Sequence, residues 1–346
     1  MKRVLVSFCL ASLVLMLAAC SSEPAAEPDT AAQPQQQGPT RSITNITGDL
    51  YRAQNNNHFT ALLVTPEGII MSDPINREFA TWLKGELAAR FNVPVRYVLY
   101  SHSDFDHASG GEVFADTAEF IGHENMPAAL ALPSDDMPLP ENAAAMDADG
   151  NGKIEMAEAT GNFQNNFALF DANEDGMLSG AEIARGPVSD VYPPTDTYSD
   201  RRTITLGGKS VEMIHPGTQH SANMSILHFI DESAVFVVDF LSLRRLPFRT
   251  MAGYNLDEWL QEIRFVEDFG AEIVMGGHGD VGTTADVAEV RQYLEELRDA
   301  VAAGMEAGSS LEELQASITM EAYSDWNSYT EWLPLNIEGM YNMLAP

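Results

Sequence analysis

Two imidazoles and two carboxylates lie within six residues in the first third of the chain: His102, Asp104, Asp106 and His107. If they were buried without a partner, these groups would carry a large desolvation cost, whereas a bound cation would satisfy all four. Segment 95–100, directly before them, is short, apolar and rich in β-forming residues, which predicts a buried strand. The glycine-containing segment 108–111 predicts a turn. We therefore predict a metal site at the end of a strand.

Three further candidate ligands occur far along the chain, each at or just after the end of a predicted strand. His220 follows the predicted strand 211–214, Asp239 follows the apolar run 234–238, and His278 follows the predicted strand 272–275. Ligands that converge from distant strand ends are typical of hydrolases that use two metal ions. By contrast, we interpret His58 and His228 as structural, and His123 as a helix-capping residue with a metal-ligand role as the alternative.

The order of these ligands resembles the metallo-β-lactamase superfamily, whose signature is H-x-H-x-D-H followed by a single His, a bridging Asp and a final His. The resemblance covers roughly residues 44–300, apart from an insertion, and includes Asp73 at the end of a predicted strand. It implies one metal ion on His102, Asp104 and His220, a second on Asp106, His107 and His278, and Asp239 as the bridge. Asp104 stands where the family usually has a His. A carboxylate is a harder ligand, so zinc is the first expectation and manganese or iron the alternatives.

The resemblance also implies a four-layer αβ/βα sandwich, which the alternation of predicted strands and helices fits. It implies a hydrolase whose metal-activated hydroxide attacks an ester, lactone, lactam, phosphoryl or sulfuryl bond of a small-molecule substrate. Asp106 would orient the nucleophile or pass a proton to the leaving group. Two alternatives stay open: a non-catalytic calcium-binding surface lipoprotein whose catalytic fold has degenerated through Asp104, and a di-iron redox protein.

Residues 129–195 form an insertion that contains two EF-hand-like loops in tandem. Carboxylates, amides and main-chain carbonyls at the EF-hand spacing predict calcium binding. The first loop supplies Asp147, Asp149, Asn151, Lys153 through its carbonyl, Glu155 and Glu158, and the second supplies Asp171, Asn173, Asp175, Met177, Ser179 and Glu182. We expect one helix to connect the loops. The pair would order the insertion; alternatively it would gate the active site or present a surface to a protein partner, for which no motif gives support.

The first residues of the chain have the pattern of an export signal. Two cations precede an apolar run, and residues 1–19 predict a signal peptide because the run is short for a membrane span. Segment 17–20 resembles a bacterial lipobox, which implies lipidation of Cys20, and Ser21 resembles the sorting signal for the outer membrane. We expect a lipid-anchored envelope protein that faces the periplasm, with residues 20–43 as a flexible linker.

Composition bounds the remaining possibilities. The formal net charge of −32 makes phosphate-backbone binding very unfavourable, so we exclude nucleic acid as a partner. Cys9 lies in the predicted signal peptide, so the exported chain has no disulfide pair and no thiolate metal ligand. We divide the catalytic fold into residues 44–128 and residues 196–346, the latter with C-terminal helices. The aromatic residues near the C-terminus would pack on the core or, alternatively, form a wall of the substrate pocket.

Overall fold

The computed structural model describes residues 38–134 and 136–345, and the described residues from 39 onward form one compact unit. The expected signal peptide, Cys20 and most of the expected linker therefore lie outside the described residues. The first strand begins at Arg41, inside the last residues that we assigned to the linker.

The first large sheet has seven strands in the order β1-β2-β3-β4-β5-β6-β9. Strands β1 to β4 are antiparallel neighbours, and β4, β5, β6 and β9 are parallel. The strands are β1 Arg41–Thr47, β2 Leu50–Asn55, β3 His58–Thr65, β4 Gly68–Met71, β5 Val95–Leu99, β6 Glu119–His123 and β9 Asp196–Tyr198. The chain therefore returns to this sheet directly after the insertion.

The second large sheet has six strands in the order β10 to β15, and a third sheet pairs β7 with β8 in the insertion. Only β13 and β14 run parallel in the second sheet. Its strands are β10 Arg201–Leu206, β11 Lys209–Ile214, β12 Ile226–Phe229, β13 Ala234–Val237, β14 Ile273–Gly276 and β15 Val281–Gly282. The small sheet consists of β7 Ile154–Glu155 and β8 Met177–Leu178.

Helices cover the outer faces of the two large sheets and build the insertion. They are α1 Arg77–Phe91, α2 Phe105–Ala108, α3 Met126–Leu130, α4 Glu141–Ala144, α5 Gly161–Asn165, α6 Phe167–Phe170, α7 Gly180–Arg185, α8 Leu256–Phe269, α9 Thr284–Glu306, α10 Leu311–Ser317 and α11 Tyr329–Leu344. Short 3₁₀ turns occupy Gly111–Phe114 and Glu321–Tyr323. No helix among the described residues is long and apolar enough to cross a bilayer.

Alternating side chains of β3 and β4 build the layers. Leu63 and Ile70 point into the core between the two sheets, whereas Leu62 and Ile69 point to the opposite face, against α1. The second sheet packs against α8 and α9 on its outer side, for example through Trp259. The four layers are thus helix, sheet, sheet and helix, which confirms the predicted αβ/βα sandwich.

Local sequence signals define the ends of the main helices. The Asn76 side chain accepts a hydrogen bond from the Phe79 amide at the start of α1, and the Asn255 side chain caps α8 in the same way. Gly270 ends α8 in the left-handed conformation. These helices match the predicted segments closely because both caps and the apolar periodicity are visible in the sequence.

The insertion has a small hydrophobic core of its own, which includes Ile154, Phe167 and Leu178. The expected single helix between the two loops is wrong. The connection between the two loops consists of two short helices, α5 and α6, which are separated at Asn166. The sequence there is rich in glycine and asparagine, which are poor helix formers, so the short connection breaks instead of continuing.

Candidate metal centre

The candidate ligands meet at the carboxyl ends of the parallel strands β4, β5, β13 and β14. Residues 101–104 leave β5, and α2 then carries Asp106 and His107. The fully buried Asp73, just after β4, accepts a hydrogen bond of 2.8 Å from the Ser101 amide. Burial raises the pKa of Asp73, and His107 and Ser101 oppose that rise. Asp73 thus holds the start of the ligand-bearing loop in place.

Two groups of potential metal ligands lie side by side. Within each group the ligand atoms lie within 4.8 Å of one another, close enough for one ion. The first group is His102, Asp104, His220 and Asp239, and the second is His58, Asp106, His107 and His278. The structure therefore brings together all seven residues that the sequence singled out for transition metals.

Asp239 stands between the two groups, with one carboxylate oxygen facing each. Its Oδ2 lies 3.1 Å from His102 Nε2 and 3.2 Å from His220 Nε2. Its Oδ1 lies 3.3 Å from His107 Nε2 and 3.0 Å from His278 Nε2. This is the arrangement that a carboxylate bridging two cations requires. Asp239 also has a left-handed backbone with φ of 62°, an uncommon conformation for a non-glycine residue.

The imidazoles are oriented by contacts of their outer ring nitrogens. His220 Nδ1 lies 2.7 Å from the Tyr254 hydroxyl, and His278 Nδ1 donates to the Asn57 carbonyl at 2.8 Å. His102 Nδ1 lies 2.9 Å from Ser101 Oγ. Each contact leaves the Nε2 atom directed inward, as metal-binding histidines require.

Several inner atoms have the environment of ligands that share a cation. The Nε2 atoms of His102 and His220 are buried and make no hydrogen bond within the described residues, although Asp239 is near. The Nε2 atoms of His107 and His278 lie only 3.1 Å apart. Buried nitrogens in these positions fit divalent metal ions better than they fit one another.

The electrostatics of the centre favour positive charge. Burial would lower the pKa of His102 and His220, yet Asp104 and Asp239 raise both values to about 10. Burial likewise opposes ionisation of Asp104 and Asp239, but the neighbouring imidazoles hold the pKa of both well below the usual range. The carboxylates thus favour positive charge in the site, which a proton on an imidazole or a metal ion can supply.

The other histidines correct the interpretation from sequence. His58, which we assigned a structural role, belongs to the second group, and its Nε2 lies 3.1 Å from Asp106 Oδ2. His123 lies outside both groups, stacks on His215 with 4.1 Å between ring centres and contacts the Ser199 carbonyl. His228 lies outside them as well, against Phe269. The only hint in the sequence was that His58 follows the predicted turn at residues 55–57. No other candidate ligand lies near it along the chain, so we did not assign it to the metal site.

A cavity of about 790 Å³ opens onto the two groups. Its walls combine aromatic and aliphatic side chains with two arginines, Arg245 and Arg249. Trp332, from the aromatic C-terminal segment, lines it, which supports the pocket-wall alternative for that segment. Asn162 of α5 brings the insertion to the same cavity. Sequence analysis found neither the arginines nor Asn162, because all three lie on elements without a recognisable motif.

Both loops of the insertion fold in the same way around their first aspartate. The Gly152 amide donates to Asp147 Oδ2 at 2.9 Å, and the Gly176 amide donates to Asp171 Oδ2 at 3.0 Å. Both glycines have positive φ, 81° and 80°, as the sharp EF-hand turn requires. Strands β7 and β8 then join the loops by an antiparallel pair.

The last acidic residue of each loop closes back over it. Glu158 Oε1 accepts a hydrogen bond of 2.9 Å from the Ala148 amide, and Glu182 Oε1 accepts one of 2.9 Å from the Ala172 amide. In the first loop, ligand atoms of Asp147, Asp149 and Glu158 lie within 4.8 Å of one another. The two loops therefore share one pattern of backbone hydrogen bonds to their first and last acidic residues.

Comparison with known protein families identifies one family that matches the sequence. The sequence profile described as the Metallo-beta-lactamase superfamily matches residues 77–278, more than half of the chain. A search of functionally curated proteins finds no match.

Solved structures with the same fold come from proteins of different named activities. A metallo-beta-lactamase from Pontibacter korlensis superposes with a TM-score of 0.50 at 15% identity, over 74% of this chain and 99% of its own. The inverting sec-alkylsulfatase Pisa1 from Pseudomonas sp. has a TM-score of 0.58 at 15% identity, over 88% of this chain. The match covers only 50% of the sulfatase, so the chain spans about half its length. At these identities the likeness concerns the fold alone.

Proposed function

The chain belongs to the metallo-β-lactamase superfamily, and we propose on that premise that it is a metal-dependent hydrolase with a two-metal centre. The observation that carries the proposal is Asp239, whose two oxygens each face two imidazole nitrogens at 3.0–3.3 Å. One carboxylate between two ligand groups is the core of a binuclear hydrolytic site. The fold alone would not support this, since one fold hosts many chemistries.

The ligand types suggest which ions fit. His102, His220, Asp104 and Asp239 give the first site two nitrogen and two carboxylate donors, while the second site is richer in imidazole. Zinc suits both sets, and manganese or iron would suit the first site because of its additional carboxylate. When bound, such a pair of ions polarises the scissile bond and lowers the pKa of water.

The residues of the chain contribute position and proton transfer. Asp106 lies on the cavity wall with His58 Nε2 3.1 Å from its Oδ2. Burial raises the pKa of Asp106, but His58 and His107 outweigh it and keep the carboxylate ionised. An ionised, oriented carboxylate facing the cavity is suited to accept a proton from the nucleophile and to return it to the leaving group.

The bond that is hydrolysed is an ester, lactone, lactam, phosphoryl or sulfuryl bond in a small molecule. The two neighbours named above are a metallo-beta-lactamase and an alkylsulfatase, so the fold does not indicate which of these bonds is hydrolysed. The cavity of about 790 Å³ is of a size that takes a drug-sized molecule.

Metal content and hydrolysis test this proposal together. Protein from Ser21 onward, purified without chelator, should carry about two transition-metal ions per chain. It should hydrolyse at least one member of a panel with a cephalosporin, a γ-lactone and 4-nitrophenyl butyrate, phosphate and sulfate. His102→Ala should lose metal and at least about 100-fold of that activity, whereas the control His228→Ala should keep both.

The same measurement separates the alternatives. Protein that cannot be loaded with any transition metal, yet binds calcium, would support the non-catalytic calcium-binding lipoprotein in place of the hydrolase. A visible absorption band from bound iron without hydrolysis would instead indicate a di-iron redox protein.

We also propose that the insertion binds two calcium ions in an EF-hand pair. The matching hydrogen bonds around Asp147 and Asp171, and the closing contacts of Glu158 and Glu182, support it. Glu158→Gln and Glu182→Gln should each remove one calcium per chain in calorimetric titration, because position 12 supplies two oxygens to the ion. Glu174→Gln removes an equal charge from a non-ligand position of the second loop and should change nothing.

Export is a further proposal, which rests on the resemblance of segment 17–20 to a lipobox. Cys20, its lipid acceptor, lies outside the described residues. In a Gram-negative host the protein should incorporate labelled fatty acid and sediment with the outer membrane. Cys20→Ser should abolish labelling, and labelling that persists in this variant would contradict the proposal.

A further inference from the structure

One wall of the cavity is a loop, residues 239–251, with an unusual backbone. Within residues 239–251, four non-glycine residues have left-handed φ values of 50–62°: Asp239, Arg244, Arg249 and Met251. Each such residue costs on the order of 1 kcal/mol and persists only where the surroundings enforce it. We therefore infer that contacts with the rest of the protein hold this loop in one conformation.

Buried contacts from α11 enforce this shape. The fully buried Asn336 donates to the carbonyl oxygens of Pro247 at 2.9 Å and Arg249 at 2.6 Å, while its own Oδ1 accepts from Tyr293 at 2.7 Å. Gly339 lies so close that a Cβ there would meet the Thr250 carbonyl at 1.9 Å. The loop is thus held rigidly against the last helix.

Two of the side chains that this loop presents to the cavity are cations. Arg245 lies with its guanidinium 4.7 Å from the centre of the Trp332 ring, and Arg249 lies 5.1 Å from the centre of the Phe248 ring. In the part of the chain that the structure describes, no carboxylate oxygen lies within 4.0 Å of either guanidinium. Both sit on aromatic faces and leave their N–H groups available.

The neighbouring Arg244, in contrast, has carboxylate partners. Arg244 turns away from the cavity and lies 2.5 Å from Asp325, with Glu289 at 4.0 Å. The chain carries 51 acidic residues and a net charge of −32, so carboxylate partners are abundant. Arg245 and Arg249 line the same substrate-sized cavity without such partners, so they are suited to bind an external anion.

Arg245 has a further reason to take an anion. It is half-buried, and burial lowers its pKa while the nearby Asp239 carboxylate opposes that change. Metal ions on Asp239 would neutralise that carboxylate, which leaves the guanidinium without compensation in a partly dry pocket. Desolvated cations of this kind gain most from a charged hydrogen-bond acceptor.

We propose that Arg245 and Arg249 form an anion subsite, and that the substrate joins a carboxylate, sulfate or phosphate group to an apolar body. The apolar part would lie along Phe248, Trp332 and Met251, which line the same cavity. This inference rests on the proposed hydrolase function, since it names the substrate class for that site. The anion is held by the arginines and lies apart from the bond that reaches the metals.

Calorimetric titration with non-hydrolysable probes tests the subsite. Metal-loaded protein from residue 21 onward, which contains the compact unit 39–346, is titrated with hexanoate, hexane-1-sulfonate, hexylphosphonate and neutral hexan-1-ol. At least one anion should bind roughly tenfold or more tightly than hexan-1-ol, and the best anion identifies the group. Arg245→Gln and Arg249→Gln should each remove most of that preference, Arg245→Lys should keep part of it, and the outward-facing control Arg244→Gln should keep it all.

Two results would overturn the subsite. One is a double variant of Arg245 and Arg249 that binds anions as tightly as the wild type does. This result would show that the metal ions, and not the two arginines, bind the anions. The other is wild-type protein that binds hexan-1-ol as tightly as every anion. Hydrolysis of the panel is measured on the same protein: activity without anion preference overturns the subsite alone, and anion preference without activity overturns the hydrolase alone. Arg249 is exposed, so its variant tests the subsite even if an Arg245 variant folds poorly.

Discussion

A single carboxylate organises the chemistry at the scale of residues. Asp239 contacts four imidazoles, and its left-handed backbone turns the chain just after β13 so that both oxygens face inward. Its role was visible in the sequence because it ends an apolar strand and fits a known order of ligands. His58 was not, because a histidine at the start of a strand has no spacing relation to Asp106 along the chain. Only the tertiary fold brings the two within 3.1 Å.

Tyr254 is the residue we expect to position His220 for the first metal site. Its hydroxyl lies 2.7 Å from His220 Nδ1, and its ring packs on Trp259 at 4.2 Å between centres. Tyr254→Phe keeps the ring and removes the acceptor. We expect roughly 10- to 100-fold weaker metal binding at one site, because partners of this kind orient the ligand. Competition with a chromophoric chelator measures the change.

A matched control exists in the C-terminal helix. The Tyr329 hydroxyl bonds to the Thr319 carbonyl, and neither residue lines the cavity. Tyr329→Phe should leave both metal affinities unchanged. Equal metal affinities in Tyr254→Phe and wild type would mean that the Tyr254 hydroxyl has no positioning role.

His123 gives a prediction for stability as a function of pH. Its two ring nitrogens contact the Ser199 carbonyl and the Asn125 amide, which requires a neutral ring. Burial first, and then His215, lower its pKa below 6.5. The unfolded chain therefore takes up this proton before the native protein does. The free energy of unfolding should fall as pH drops from about 6.5 towards the lowered native pKa. Above about pH 6.5 the contribution of His123 should be constant.

The variant His123→Gln isolates that effect from other titrations. Urea unfolding at about pH 7.5 and about pH 5, with calcium and metal saturating, gives the stability loss of each protein. The wild type should lose more stability than the variant. An equal loss in both would show that His123 is not the group responsible.

At the scale of elements, the sequence predicted the strands and long helices well because their signals are local. Caps such as Asn76 and Asn255 and apolar faces such as that of α8 can be read from adjacent residues. The loop 239–251 could not be predicted in this way. Its backbone depends on Asn336, whose amide donates to the carbonyls of Pro247 and Arg249, 89 and 87 residues away along the chain.

Two helical glycines separate the effect of helix propensity from the effect of this contact. Gly339 in α11 has no room for a Cβ beside Thr250, whereas Gly85 in α1 has open space around it. Gly85→Ala should stabilise the protein by about 0.5–1 kcal/mol through its better helix propensity. Gly339→Ala should instead destabilise it by roughly 1–3 kcal/mol, because the loop must move. Urea unfolding measures both, and a stabilised Gly339→Ala protein would show that the loop yields at no cost.

At the scale of the whole molecule, three parts of the chain meet around one cavity. The metal groups lie at strand ends of the sandwich, Arg245 and Arg249 lie on the loop held by α11, and Asn162 comes from the insertion. The sequence separated these parts by composition and motif. It could not predict their meeting, because the packing of the insertion against the sandwich leaves no pattern in either segment. If the insertion binds calcium as proposed, this meeting gives the ion a structural route to the substrate cavity.

That route is short along the chain. Glu158, the last proposed calcium ligand of the first loop, precedes Asn162 by four residues. The Asn162 side chain accepts a hydrogen bond of 2.6 Å from Asn166 in the same connection. Calcium bound by Glu158 would fix the start of α5, and with it this part of the cavity wall. Loss of calcium should therefore impair substrate binding more than the chemistry at the metals.

The position-12 variants test this coupling without a chelator that would also strip transition metal. With the substrate found in the panel, Glu158→Gln should raise KM roughly fivefold or more and leave kcat nearly constant, since energetic coupling of this kind is typically 1–3 kcal/mol. Glu182→Gln should have a smaller effect, because its loop follows α6 and lies farther from Asn162 along the chain. Glu174→Gln controls for charge. If Glu158→Gln loses its calcium and keeps the wild-type KM, calcium only orders the insertion. If kcat falls together with the transition-metal content, calcium affects the transition-metal centre through the fold and not through the cavity wall.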